Sequence, residues 1–173
     1  MEDRAACQFV LALLGETNLD LLSQIEVVVA GSTDKIDSVL SSLPRSQDGW
    51  LKVIGVYDGD MRTRLGAKKF ILPYLFLPGE FAPEHILRDA LTSQPNCVEM
   101  LATELHRTRE AVGPALDSVE GQDAHDWFTQ LPKQIGCDHP TLMAALVRIW
   151  LGNNRGIAEI FVGSLLETMN STG

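Results

Sequence analysis

Two short apolar runs, with a helical pattern before and after the first of them, constrain the fold more than any other feature of this sequence. Residues 25–30 (IEVVVA) are rich in β-branched side chains, and Gly31 ends the run. Residues 51–57 (LKVIGVY) form a second run, which Asp58-Gly59-Asp60 follows directly. Strands that are buried on both faces of a parallel sheet have this composition. The order along the chain therefore predicts alternating helices and strands.

Helical periodicity fills the spaces before and after the first run. Residues 2–14 and 32–43 each carry apolar side chains at helical spacing, and Gly15 and Pro44 follow them. Residues 70–77 (FILPYLFL) predict a third strand, part of which lies at a sheet edge because proline has no amide donor. Further helices are predicted at 83–91, 95–111, 123–135, 139–151 and 155–169, with the most loop-like stretch around 107–122.

The predicted fold class is α/β. Residues 1–80 form a parallel, Rossmann-like sheet flanked by helices, and residues 81–173 form an all-helical C-terminal extension. A parallel α/β domain normally begins with a strand, whereas this chain begins directly with a helix. We therefore expect either an unusual domain or a first strand that lies upstream of Met1.

Composition limits the classes of function. The chain has 14 basic against 23 acidic residues, a net charge of −9, which argues against a basic surface that wraps nucleic acid. Its three cysteines, without CxxC spacing, predict neither a zinc site nor a disulfide framework. No segment has the pattern of a signal peptide or the roughly 18–20 apolar residues of a membrane helix. We expect a soluble cytoplasmic protein.

Asp58-Gly59-Asp60 is the strongest chemical signal in the chain. Ligands of open α/β sheets bind beyond the carboxyl ends of the strands, and Gly59 allows both acids to turn towards one crevice. Two close carboxylates repel each other unless a cation lies between them, and hard oxygen ligands favour Mg²⁺ or Mn²⁺. The alternative is a solvated Asp-Gly turn, and the motif alone favours that alternative.

The position of Glu2 makes the metal-site interpretation of Asp58 and Asp60 more favourable than the motif alone would. If a strand precedes Met1, Glu2 lies at its carboxyl end, and two strand ends present Glu2, Asp58 and Asp60 to one crevice. Such a set of carboxylates can hold two divalent ions for phosphodiester chemistry. The alternative for Glu2 and Asp3 is that they stabilise the first turn of the following helix.

These motifs resemble the Toprim domain, and within it the overcoming-lysogenization-defect (OLD) family of ATP-dependent nucleases. MEDRAA is similar to the first motif of that family, and FLPGEFAPEHIL (76–87) and DAHDWFTQLPKQIG (123–136) resemble segments that follow its core. The resemblance implies a Toprim-like sheet and Mg²⁺- or Mn²⁺-dependent cleavage or nicking of DNA. It assigns Glu2, Asp58 and Asp60 to metal binding and catalysis. Ala6 stands where some members carry a second acid.

The resemblance also implies partners and further site residues. Glu84, or less favourably Glu80, is expected to add a metal-binding carboxylate, and Lys133 is the candidate for a catalytic lysine. The chain has no Walker motif, so an ABC-like ATPase would lie upstream or on another protein. DNA would be held through a partner or a missing segment. Self-association into a homo-oligomer is left open.

Other readings compete with the nuclease. His125 beside Asp126 is capable of proton transfer, but Asp123 as a helix cap with Trp127 and Phe128 in the core is the stronger interpretation. A receiver-like signalling domain would be phosphorylated on Asp58, although the helical second half argues against it. A Toprim-like scaffold without activity is the third alternative.

Overall fold

The computed structural model describes residues 1–44, 51–66 and 68–171. It is mostly helical, with 66% of its residues in helices, and its strands form a two-stranded parallel sheet. In chain order the elements are α1 Arg4–Thr17, α2 Leu19–Gln24, α3 Thr33–Ser42, β1 Gly55–Tyr57, α4 Met61–Leu65, β2 Tyr74–Phe76, α5 Pro83–Thr92, α6 Cys97–Glu104, α7 Arg109–Ser118, α8 Ala124–Ile135 and α9 His139–Ser171.

The chain divides into two compact units. The first unit consists of Met1–Ala82 together with Gly156–Gly173, and the second consists of Pro83–Arg155. The division falls within α9, close to Asn154, whose backbone (φ −126°, ψ 18°) is not helical and kinks the helix. The sheet belongs to the first unit, and α5 to α8 belong to the second.

The core of the first unit lies between the parallel strands and α3. β1 and β2 pair with Gly55 opposite Tyr74 and Tyr57 opposite Phe76. A Cβ atom at Gly55 would lie 2.5 Å from Cδ1 of Leu40, so this strand packs closely on the Leu40 side chain of α3. The buried ring of Tyr57 lies 5.8 Å from the ring of Tyr74 and 6.1 Å from that of Phe76. Aromatic contacts thus stabilise a sheet of only two short strands.

The strands are shorter than predicted. Of residues 51–57 only Gly55–Tyr57 form a strand, and of residues 70–77 only Tyr74–Phe76 do. Pro73 precedes the second strand and contributes its carbonyl, which accepts from the Gly55 N–H at 3.0 Å. The expectation for residues 25–30 is wrong: this segment is extended but half exposed, with Val28 62% and Val29 41% exposed. The coarse α/β assignment holds for a parallel pair of strands flanked by helices.

The helical prediction errs most between residues 95 and 122. In place of one helix and a loop, the chain forms α6 and α7, which are separated by a short turn. Pro114 lies inside α7 and makes the sequence resemble a loop, yet Val112 and Ala115 are buried and stabilise the helix by packing. The two helices predicted at 139–151 and 155–169 are present as the two halves of α9, because the non-helical backbone of Asn154 divides it between them.

Candidate functional site

The first two residues form a parallel ladder with the segment 28–31. The Met1 ammonium group donates to the Val28 carbonyl at 2.9 Å, and the Ala30 N–H donates to the Met1 carbonyl at 2.7 Å. Met1 thus bonds to Val28 and to Ala30, the two neighbours of Val29. This is the pattern by which Met1 and Val29 would be paired in a parallel sheet. The Gly31 N–H then donates to the Glu2 carbonyl at 2.9 Å. Glu2 therefore directly follows Met1, the residue that is paired in parallel with Val29.

Local hydrogen bonds orient the two acids at the start of the chain. The Glu2 carboxylate accepts from the Thr33 hydroxyl, which lies 2.8 Å away in the first turn of α3. Asp3 is the N-cap of α1, and its carboxylate accepts from the Ala6 N–H at 2.9 Å. Asp3 thus stabilises α1 as its cap. The Glu2 carboxylate is instead held beside the turn that precedes α3.

The acids that follow β1 differ in exposure. Asp58 is buried, with 8% of its surface exposed, and Asp60 is exposed immediately before α4. The Met61 N–H donates to the Asp58 carbonyl at 3.2 Å, and the Arg62 N–H donates to the Gly59 carbonyl at 3.3 Å. These bonds turn the chain from strand to helix, so the geometry includes the turn that the alternative interpretation predicts. They do not explain why a carboxylate is buried at position 58.

The turn after β1 lies against the turn after β2. A Cβ atom on Gly59 would lie 2.3 Å from the carbonyl oxygen of Gly79 and 3.3 Å from the amide nitrogen of Glu80. Gly79 has φ +87°, a conformation that favours glycine. The Arg62 guanidinium, in α4 after the first turn, donates to the Leu77 carbonyl before the second turn at 2.8 Å. This hydrogen bond links the two turns. Glu80, the less favoured of the two candidates, therefore borders the turn that carries Asp58.

The Met1 amino group lies in the field of both sets of acids. Burial lowers the pKa of this group, and electrostatic interactions with Cys7, Asp58, Asp3 and Glu2 oppose that shift. Glu2 and Asp58, which are 56 positions apart in sequence, thus both act electrostatically on the Met1 ammonium.

The donor set fits a divalent ion only in part. Carboxylate oxygens suit Mg²⁺ or Mn²⁺, and the candidates are Glu2, the buried Asp58 and the exposed Asp60 and Glu80. Among residues 1–44, 51–66 and 68–171, however, no three His, Cys, Asp or Glu side chains are grouped as metal ligands. The side chains present would have to draw closer around an ion, and the Met1 ammonium would have to yield to it.

The remaining predicted site residues belong to the second unit. Glu84, in the first turn of α5, is 6% exposed, and its Oε1 lies 3.7 Å from Nδ1 of His125. Lys133 is exposed in the last turn of α8, where a cation interacts favourably with the helix dipole.

In the segment 123–128 the structure shows the helix cap and the two core aromatic side chains that the stronger interpretation predicts. Asp123 is the N-cap of α8 and accepts from the N–H groups of His125 and Asp126 at 2.9 and 3.0 Å. Trp127 and Phe128 are buried. The His125 side chain is 80% exposed, and its Nδ1 lies 3.7 Å from Oε1 of Glu84.

The sequence analysis missed one polar network under the sheet. Asp37 on α3 accepts from the Tyr57 hydroxyl at 2.6 Å and from the Lys68 ammonium at 2.6 Å. Burial alone would raise the pKa of Asp37, but these hydrogen bonds outweigh it and hold the pKa below its ordinary value. The only signal in the sequence was a tyrosine at the end of an apolar run.

Comparison with protein-family models, with curated proteins and with solved structures gave no match. Within the described ranges, none of the helices has the length and apolar character needed to cross a bilayer. The site must therefore be interpreted from its own chemistry.

Proposed function

We propose that this chain is a Toprim-like module for divalent-metal-dependent cleavage or nicking of DNA. Glu2, Asp58 and Asp60 would be its metal-binding and catalytic carboxylates, and Mg²⁺ or Mn²⁺ its cofactor. The observation that supports this proposal most is the parallel ladder of Met1 and Glu2 with residues 28–31. Glu2 directly follows the paired residue Met1, and Asp58 acts electrostatically on the Met1 ammonium.

The environment of each carboxylate suits a different task. Asp58 is buried and fixed by the turn into α4, as a permanent ligand needs to be. Glu2 is oriented by the Thr33 hydroxyl. Asp60 is exposed and has no capping bond of its own, so it remains able to move towards a ligand. A bound divalent ion would supply charge neutralisation at the scissile phosphate and activation of a water.

Glu80 is a better candidate for an additional carboxylate than Glu84. Its backbone borders the Asp58 turn through the contact between Gly59 and Gly79. Glu84 instead faces His125 within the helical unit. The role of Lys133 as a catalytic lysine is supported by the family resemblance alone.

The charge of the chain bears on its partners. With a net charge of −9, it would need a basic surface from elsewhere to hold a polyanion. We therefore propose that DNA is presented by a partner, of which an ABC-like ATPase is the expected kind. A cytoplasmic location follows from that proposed partnership.

Plasmid nicking tests the activity. The full chain is incubated with supercoiled plasmid in Mn²⁺, in Mg²⁺ and in EDTA, and the open-circular product is followed on gels. We expect metal-dependent nicking that the Asp58→Asn/Asp60→Asn variant lowers at least about 100-fold. Asp20→Asn/Asp117→Asn removes the same charge from exposed positions and serves as the control. Equal nicking by both double variants would refute the assignment.

A further inference from the structure

A cavity in the second unit lies along one side of α8. It has a volume of about 310 Å³, and α8, the end of α7 and the turn between these helices supply its lining: Ser118, Val119, Gln122, Asp126, Gln130 and Gln134. Five of these six side chains are polar, whereas most ligand pockets are lined mainly by apolar side chains. The cavity therefore suits a small molecule that forms many hydrogen bonds.

Gln122 lines this cavity with a side chain whose hydrogen bonding is incomplete. Its Oε1 atom is buried and, among the residues that the structure describes, has no hydrogen-bond partner. The backbone of Gln122 is held on both sides, because its N–H donates to the Val119 carbonyl and its carbonyl accepts from the Arg88 guanidinium, each at 3.3 Å. A buried acceptor without a donor is destabilising. A ligand that donates to this oxygen would remove the penalty.

The part of the chain that forms the cavity is acidic. Residues 110–132 contain no lysine or arginine and five acids, namely Glu110, Asp117, Glu120, Asp123 and Asp126. Asp126 is the acid that lines the cavity itself. Arg88, which donates to the Gln122 carbonyl, forms an ion pair with Asp89 at 3.2 Å, so its charge is balanced locally. The field at the cavity therefore attracts a cation and repels an anion.

The spacing of the lining groups favours an extended cation over a metal ion. Asp126, Gln130 and Gln134 follow each other at intervals of four residues, so they rise about 6 Å per step and about 12 Å in all. One ion could bridge two of these side chains but not all three, and only one of the three is charged. Within the described ranges, no three His, Cys, Asp or Glu side chains are grouped as metal ligands. A linear molecule with several ammonium groups, separated by short methylene chains, can reach the whole row.

We propose that this cavity binds a linear aliphatic polyamine. One ammonium group pairs with the Asp126 carboxylate, and others donate to the amide oxygens of Gln130 and Gln134. The Gln122 oxygen accepts from a further N–H once its side chain turns towards the cavity, and Val119 contacts the methylene groups. This site goes beyond the proposed nuclease activity and does not depend on it.

Calorimetric titration of the full chain with spermidine, a linear triamine, tests the proposal. Hexaamminecobalt(III) carries the same charge in a compact form, and n-butylamine carries a single ammonium group. At about 0.15 M salt, where attraction between distant exposed charges is screened, we expect saturable binding of spermidine at least about 10-fold tighter than that of either control. Equal affinity for the two trications would refute the role of spacing, and no saturable binding of spermidine would refute the site.

Two charge variants distinguish the cavity from the acidic residues around it. Asp126→Asn removes the carboxylate that lines the cavity, and Asp117→Asn removes one from an exposed position outside the lining. We expect Asp126→Asn to weaken spermidine binding at least about 10-fold and Asp117→Asn to weaken it less than about 2-fold. Equal weakening by both would show general attraction to residues 110–132 and would overturn the site.

Gln122→Met tests the unpaired oxygen, because methionine keeps the length of the side chain without its amide. We expect this variant to raise the Tm of the ligand-free chain by about 2–4 °C, since a buried acceptor without a donor is removed. We expect it also to weaken spermidine binding at least about 3-fold. Unchanged affinity for spermidine would contradict the part assigned to Gln122.

A basic peptide distinguishes another source of ammonium groups. If acetyl-KGKGK-amide binds more tightly than spermidine, and Asp126→Asn weakens that binding, the cavity takes a lysine-rich protein segment and the proposal is overturned. Weaker binding of the peptide than of spermidine supports it. Asp58 and Asp60 belong to the first unit and the cavity to the second, so failure here leaves the metal-site proposal untouched.

Discussion

Gly59→Ala is expected to force apart the two turns that border the acidic region. The new Cβ would lie 2.3 Å from the carbonyl oxygen of Gly79 and 2.8 Å from its carbonyl carbon. Carbon and oxygen normally approach to about 3.3 Å, so the turns must separate by about 1 Å. Both obstructing atoms belong to the backbone, and no change of rotamer relieves the contact.

The destabilisation expected for Gly59→Ala can be estimated from the effects of overpacking in other proteins. Inserting a methyl group into a closely packed place destabilises a protein by roughly 1–3 kcal/mol. Replacing glycine by alanine also restricts the unfolded chain, which returns about 0.4–1 kcal/mol. We therefore expect a net loss of about 1–2 kcal/mol in the free energy of unfolding, measured by urea denaturation.

Gly66→Ala is the matched control. Gly66 has φ −51°, and the nearest atom to a Cβ there is the Arg62 carbonyl oxygen at 3.5 Å, an ordinary contact. The control should be neutral or stabilising by up to about 1 kcal/mol. Equal stability of the two variants would refute the close packing of the two turns.

Three further predictions concern the rest of the chain. Tyr57→Phe removes a hydrogen bond to the ionised Asp37 and should cost about 1–2 kcal/mol at pH 7 by urea denaturation. Because the folded pKa of Asp37 is lowered, its contribution is present above the unfolded pKa near 4 and disappears as the pH falls through the folded value. A cost that is unchanged at about pH 3 would contradict this. Gly152→Ala, inside α9 with no atom within 4 Å of its Cβ, should raise stability by roughly 0.5–1 kcal/mol. Gly136→Ala, at φ +75°, should lower stability by about 1 kcal/mol, and thermal unfolding that ranks this pair the other way would contradict the assigned backbone.

The sequence predicted the elements whose stability is local. Apolar periodicity predicted α1, α3, α5 and α8 to within a few residues, and Asp3, Ser32 and Asp123 each cap one of these helices. The same approach was wrong for residues 25–30, which it predicted as a buried strand. A β-branched run predicts a buried strand, but burial depends on a neighbouring strand, and among the described residues the backbone partners of this segment are Met1 and Glu2.

The candidate site could be predicted in part for similar reasons. A strand end marks where Asp58 and Asp60 stand, and the motif spacing led to Glu2. The proximity of Glu80 depends on two glycines from different turns that approach each other, which no spacing reveals. The Glu84–His125 contact depends equally on how α5 packs against α8.

Direct binding of Mn²⁺ tests the central claim of a divalent-cation site at Glu2 and Asp58. Electron paramagnetic resonance of the free ion, titrated with the full chain, gives the affinity without requiring DNA or a partner. We expect saturable binding that Asp58→Asn weakens at least about 10-fold, while the exposed Asp117→Asn leaves it unchanged. Equal affinity in both variants, or no saturable binding by the parent chain, would contradict the claim.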